Sequence, residues 1–572
     1  MRRFTVLVFL IFVLPFGLFG QTPSTSADFD KLVDETFDAI YKFNPSSGTA
    51  DGFHLYDTRL EDFSQASIAS EISTSKSSLD KLQAFPRTGL SESSSADLDF
   101  LTARIQAQLL DLETIQTWRR DPDTYTSAAT NSVFLLMSRK FAPEEERLRS
   151  VVAREKLIPG LLEEARKNLG DVPRVYTEVA LDDLANTPGF FQHDVPKAFA
   201  NVKDAKLLAE FHASNADVIA AFKKYETFLK DQLLPVSKGD FRLGAENYRK
   251  KLLYEEMVDI PLDRLLEIGY ADLRRNQQRV KEVAALIDPE KTPREVMQNL
   301  QKDHPTAEQV LPTFRNTLGG LKKFIEDKQI VTIPSDLPPI VEDTPPFERA
   351  LTSASMDTPG AYEKVAKEAY FNVTPVEKTW SPERAEQWLQ AYNRGTIVST
   401  AVHEVYPGHY TQFLWVQAAP SKVRKLLYCS SNAEGWAHYT EQMMLDEGYG
   451  NGDPKLRLGQ LLDALLRDAR YISGIEMHTG KMTLAQSKQF FIDEGYQTPA
   501  TADQESKRGT SDPTYLYYTL GKLQILKLRE DYKVMKGDQF SLQEFHNEFM
   551  RQGAVPVKII RKAMLGNDSP TL

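Results

Sequence analysis

The sequence predicts a mainly α-helical protein carrying one small β element, and three observations support that expectation. Apolar residues recur at helical spacing through most of the 572-residue chain. Helix-start signals, a serine or threonine followed by proline or by a Glu or Gln three positions on, punctuate it repeatedly. One stretch, between residues 330 and 374, instead gathers β-branched residues and prolines.

The N-terminus reads as a processing signal of about twenty residues, 1–20. Arg2 and Arg3 precede an apolar run from Phe4 to Phe19, too short and poorly flanked for a stable span, with Gly17 and Gly20 where cleavage would fall. No cysteine lies near that point, which argues against a lipid-anchored form. A retained N-terminal membrane anchor is the competing reading. No later apolar run reaches the ~18 residues a span requires. The expectation is an exported protein, periplasmic or extracellular, free of the membrane after cleavage.

Residues 21–240 then read as an N-terminal helical region and 241–572 as a helical catalytic region, together one continuous fold. Phe29, Leu32, Val33, Phe37 and Ile40 mark the first apolar face, and the turn cluster from Asn44 to Thr49 ends it. Residues 98–118, 144–169 and 203–234 read as further amphipathic helices, the last stopped by Pro235. Thr292–Glu295, Thr483–Gln486 and Ser541–Glu544 have the form of capping boxes. Ser381-Pro382 and Asp512-Pro513 open two more helical runs. The strand-like segments are Ile330 to Pro346 and Ala369 to Thr374, which their prolines would confine to sheet edges. Such an edge either pairs with an extended peptide or is a plain connector.

Net charge is −11 and the sequence pI about 5.5, which disfavours nucleic acid or an anionic membrane as the main partner. The single cysteine, Cys429, excludes an internal disulfide and a cysteine-ligated zinc site of the finger or ribbon kind. Any metal must be held by histidine and carboxylate.

Four of the nine histidines, His403, His409, His438 and His478, fall within 403–478. Zinc hydrolases commonly set two histidines four apart on a helix, with a glutamate after the first. Here His403-Glu404 is present, but the second histidine, His409, follows six residues on. In a regular helix that is about 600°, which turns the two rings apart. Pro407 removes a backbone donor and Gly408 adds freedom, so the helix is expected to bulge, kink or restart there. Glu434 lies 25 residues beyond His409 on a second helix and is the preferred third ligand to one Zn2+ ion. His438 and Glu441 share its face at i+4 and i+7, as groups that orient a ligand or as alternative ligands. Glu404 is the expected general base. Oxyanion donors are sought among Tyr515, Tyr517, Tyr518 and His478, with Tyr517 first and His478 behind it. Arg508 is a candidate for holding a substrate carboxylate.

The chain resembles a bacterial family known as domain of unknown function 885, over nearly its whole mature length. The resemblance runs through residues 45–54 and 243–248, and is most specific at His403-Glu404-Val405-Tyr406-Pro407-Gly408-His409 and at Glu434 to Glu441. It continues in 512–521 and 553–556. One departure is Tyr410, where the pattern has a further histidine; His409 is left as the sole second histidine. More distantly the family is similar to helical metallopeptidases of the thimet oligopeptidase and peptidyl-dipeptidase type. That likeness implies a large multi-helix body with a deep channel, a small β element beside a two-His-one-Glu zinc site, and Tyr or His groups at the oxyanion. The implied activity is hydrolysis of peptide bonds, of short peptides if the site lies in a channel. Two other readings stand beside it: a non-catalytic helical binding protein with a vestigial or structural metal site, and a zinc hydrolase of a non-peptide amide or ester.

Overall fold

The helices bury the faces that their sequence periodicity marks. In the computed structural model, which describes residues 26–185, 187–345, 349, 353–377 and 380–572, α1 (Ser26–Phe43) buries Phe29, Leu32, Val33 and Phe37. The expected signal segment and Pro346 lie outside the described residues. Next come α2 (Gln65–Ala84) and α3 (Glu92–Leu110). The apolar stretch 144–169 is two helices, Glu144–Glu155 and Ile158–Asn168, because Pro159 stands in the first turn of the second. Helix α4 (Ala205–Phe228) winds into a wider turn, Leu229–Leu233, just before Pro235. It is followed by α5 (Gly244–Glu256), α6 (Leu262–Ile287) and α7 (Val310–Lys328).

Three strands, β1 (Ile340–Asp343), β2 (Ala354–Asp357) and β3 (Tyr370–Val373), form a sheet in the order β1-β3-β2. β1 runs parallel to β3 and β2 antiparallel. The strand-like segment at 370–373 is therefore the central strand, not an edge. It carries no proline and can pair on both sides. Residues 330–333 are not a strand; Ile330 and Val331 are buried in the core, and the prolines at 334, 338 and 339 delay pairing until Ile340.

The capping boxes at Thr292 and Thr483 are reciprocal, as their sequences predict. Ser541 accepts from the Glu544 N–H, but the Glu544 carboxylate turns to Lys536 and Tyr532 instead of closing the box.

The site is built by the helices that follow: α8 (Arg394–Glu404), α9 (His409–Val416), α10 (Ser430–Asp446), α11 (Pro454–His478), α12 (Pro499–Ser511), α13 (Tyr517–Lys536) and α14 (Leu542–Arg551). Helix α8 lies against α7, α10, α11 and β2, so the small sheet stands beside the His403 helix. Three sizeable cores hold the chain. Residues from 125 to 233 form one, and α5, α6 and α11 share another. The third joins Phe29 to Leu109 with Phe314, Phe371, Val402 and Trp436. One core ends at Leu233 and another begins at Tyr248, while the first helices pack into the core beneath the site. Among the described residues no helix is long and apolar enough to cross a membrane.

Candidate metal centre

The His-Glu stretch solves its spacing problem by ending one helix and starting another. Helix α8 stops at Glu404, and α9 begins at His409. Between them the Tyr406–Pro407 peptide is cis, and the Gly408 N–H donates to the Val402 carbonyl at 3.0 Å. Gly408 sits so close to α8 that a Cβ there would lie 1.8 Å from the His403 carbonyl oxygen. Only glycine fits that approach. From α10, the Trp436 indole donates to the Pro407 carbonyl at 2.8 Å and pins the turn. The outcome is that the His403 and His409 rings meet edge to face, centroids 4.8 Å apart.

Helix α10 brings Glu434 to them. It packs against α13 through a glycine contact: a Cβ on Gly435 would lie 2.5 Å from Gly521 Cα. Glu434 Oε2 lies 3.3 Å from His403 Nε2 and 3.3 Å from His409 Nε2. Among the described residues these three side chains are the one group whose ligand atoms cluster as a metal site requires, all within 4.8 Å. Two donors each ~2.0–2.1 Å from a common ion at the tetrahedral angle lie about 3.3–3.4 Å apart, which is the separation of Glu434 from each imidazole. Glu434 Oε2 is buried without a hydrogen bond, and both histidines are nearly buried while Glu434 keeps a quarter of its side chain exposed. Although burial pushes upward, the His409 and His403 imidazoles hold the Glu434 carboxyl well below the ordinary carboxylate range.

Behind the ligands stands a carboxylate hub. Glu441 Oε1 accepts from His403 Nδ1 at 2.7 Å and from Arg467 Nη2 at 2.9 Å, while Oε2 lies 3.0 Å from His438 Nδ1. With Nδ1 committed to Glu441, the Nε2 lone pair of His403 faces the metal position. Glu441 and His438 therefore sit behind the cluster rather than in it. Burial drives the His438 imidazole down to about 3. Arg467, on α11, is a site residue the sequence reading did not single out; its spacing carries no motif, and only the fold places it at Glu441.

Glu404 is half-buried at the end of α8 and feels both His403 and His409. Burial raises its carboxyl above the ordinary value, the Glu434 charge adds to that, and the imidazoles oppose it. Tyr518 stacks on His403 with ring centroids 6.2 Å apart, and its hydroxyl accepts from Arg508 Nη2 at 3.5 Å. Tyr517 is adjacent, but its hydroxyl donates to Asp512 Oδ2 at 2.9 Å. Its proton is thus engaged, whereas Tyr518 presents the ring beside the imidazole. Tyr515 is buried against Ser473. His478 is not brought to the cluster. Its Nε2 bonds the Gly509 carbonyl at 2.8 Å, its Nδ1 accepts from the Leu243 N–H at 3.3 Å, and burial takes it down to about 4. Both ring nitrogens are occupied by backbone, which suits a structural tie. Tyr410 is turned away too, donating to the Leu337 carbonyl at 2.5 Å.

Tyr428 is 68% exposed and lies within electrostatic reach of Glu434, of Arg104 on α3 and of Glu255 and Glu256 on α5.

The family model described as "Bacterial protein of unknown function (DUF885)" matches residues 45–564, and the chain belongs to that family. Among solved structures, a protein described as a "putative lipoprotein of unknown function" from Shewanella oneidensis is 28% identical, with a TM-score of 0.78. The match covers 94% of this chain and 99% of that one. A "putative lipoprotein" from Colwellia psychrerythraea shares the fold at 17% identity and a TM-score of 0.79, over 94% of this chain and 98% of that one. Among curated proteins none matches the chain.

Proposed function

We propose that this chain is an exported zinc-dependent peptidase of the two-His-one-Glu type. The observation that carries the reading is the pair of 3.3 Å separations from Glu434 Oε2 to the two imidazole Nε2 atoms, backed by Glu441 on the far side of His403. His403, His409 and Glu434 would hold the ion. Export is supported by the apolar N-terminal run and by the lipoprotein description of the two structural relatives.

When bound, zinc supplies Lewis-acid polarisation of a peptide carbonyl and acidifies a water at the open position. Glu404, at the end of α8 beside both imidazoles, would take the proton of the attacking water and pass it to the leaving amine. Tyr518 is the better placed oxyanion donor, because Tyr517 already gives its hydroxyl proton to Asp512. β2, an edge strand next to α8, offers an extended chain backbone to pair with.

The purified protein should contain close to one zinc per chain by atomic emission. It should hydrolyse short peptides, and Glu404→Gln should lower kcat by about 10²–10⁴ with zinc retained. A zinc-free preparation that cannot be reloaded, or full activity in Glu404→Gln, would overturn the assignment. Zinc binding with no hydrolysis of any peptide would point to a binding protein instead.

A further inference from the structure

Three guanidinium groups surround Tyr518, and they are not equivalent. Arg467 and Arg470 lie over its ring, 5.4 and 4.9 Å from the centroid. Both are nearly buried and committed: Arg467 to Glu441, Arg470 to both Glu505 oxygens at 2.7 Å each. Arg508 differs. It stands at the hydroxyl end of Tyr518, exposes 36% of its side chain, and binds a single carboxylate oxygen. Nε (3.3 Å) and Nη2 (3.0 Å) both donate to Asp512 Oδ2. The Nη1 hydrogens have no partner among the described residues. Asp512 is itself held by the Tyr517 hydroxyl at 2.9 Å. The guanidinium is thus fixed in place with one edge open, on the wall that begins with the His403 ring and continues through Tyr518.

We propose that Arg508 is the substrate-carboxylate receptor of this site, so that the substrates are short peptides with a free C-terminal carboxylate lying beyond the scissile bond. The inference rests on the peptidase reading and adds its substrate class. Its physical basis is that a guanidinium fixed by Asp512 can donate charge-assisted hydrogen bonds to a carboxylate from its remaining Nη1. The same edge gains little from a neutral amide. Long polypeptides cleaved in their interior would leave Arg508 without a partner.

The test compares mixed-sequence pentapeptides in two forms, free acid and C-terminal amide. The zinc-loaded protein should show kcat/KM about 10- to 100-fold higher for the free acids, the scale of a charge-assisted pair. Arg508→Gln should bring the free-acid value down to that of the amides, and Arg508→Lys should recover part of the difference. Calorimetric binding of the same peptides to Glu404→Gln should show the same preference without turnover. Equal hydrolysis and equal binding of both forms would overturn the carboxylate assignment and leave the peptidase reading intact. Hydrolysis of neither form by the zinc-loaded protein would overturn both. If Arg508→Gln does not fold, by circular dichroism, Arg508→Lys together with the acid-to-amide ratio of the unaltered protein decides the question.

Discussion

Glu441 shows how much of a metal site is second-layer chemistry. One carboxylate fixes the tautomer of His403, meets His438 and neutralises Arg467, all in a buried setting. Burial opposes its ionisation, but Arg467 and the two histidines hold it below the ordinary carboxylate range. Glu441→Gln keeps the shape and removes the charge. Zinc affinity should fall about 10- to 100-fold, measured by competition with a chromogenic chelator. Unchanged affinity would mean that His403 is oriented by packing alone. The sequence shows His403-Glu404 as a pair and Glu434, His438 and Glu441 as one helical face, because both patterns are local. It cannot show that His409 returns to His403, since that depends on the backbone from Val405 to Gly408 and on Trp436 reaching across from α10. Nor does it show Arg467, which is 26 positions from Glu441 and joined to it only by helix packing.

At the scale of elements, the sheet and its connecting loop illustrate a second kind of contact that local patterns miss. The loop between β2 and β3 docks on the turn after Thr49. A Cβ on Gly360 would lie 2.1 Å from the Ala50 carbonyl oxygen, and the Tyr362 N–H donates to the Asp51 carbonyl at 2.9 Å. His54 closes the joint, with Nδ1 3.1 Å from Asp57 and Nε2 3.0 Å from Glu363, its ring stacked on Phe141. The Asp57 hydrogen bond, against the cost of burial and with help from Glu363, raises the imidazole above its ordinary value. A histidine raised in the fold stabilises it fully below its unfolded pKa of about 6.5, and that contribution is lost as pH rises through the folded value. The difference in Tm between the unaltered protein and His54→Gln should therefore be largest at pH 5.5 and shrink toward pH 8.5. A difference that is flat with pH would show that His54 acts by packing only. Sequence patterns capture the two reciprocal caps, at Thr292 and Thr483, because a capping box needs only four adjacent residues. The Ser541 box fails because Glu544 has Lys536 and Tyr532 within reach, partners that only the folded helix pair supplies.

Over the whole molecule, one buried triad ties the N-terminal helices to the elements that carry the site. Arg424, in the short helix before α10, donates from Nε to Asp97 on α3 at 2.7 Å and from Nη1 to the Gln552 side chain at 2.6 Å, just past α14. The Arg424 and Asp97 side chains are only 2% and 3% exposed. An N-terminal helix, the approach to the Glu434 helix and the C-terminal helices are thus joined through Arg424, whose charge pair with Asp97 is almost fully buried. Removing one partner leaves the other charge buried and uncompensated, which typically costs about 3–5 kcal/mol. Asp97→Ala should lower the unfolding free energy by about that amount in urea titrations followed by tryptophan fluorescence, although Asp97 is far from His403 in sequence. Asp97→Leu combined with Arg424→Met should cost less than the sum of the two single changes, because the paired loss leaves no orphaned charge. Additive costs would show that each residue acts through separate contacts. Zinc affinity measured below the unfolding transition should also fall in Asp97→Ala if this triad sets the position of α10. If stability drops while zinc affinity stays constant, α10 is held in place by its Gly435–Gly521 packing on α13.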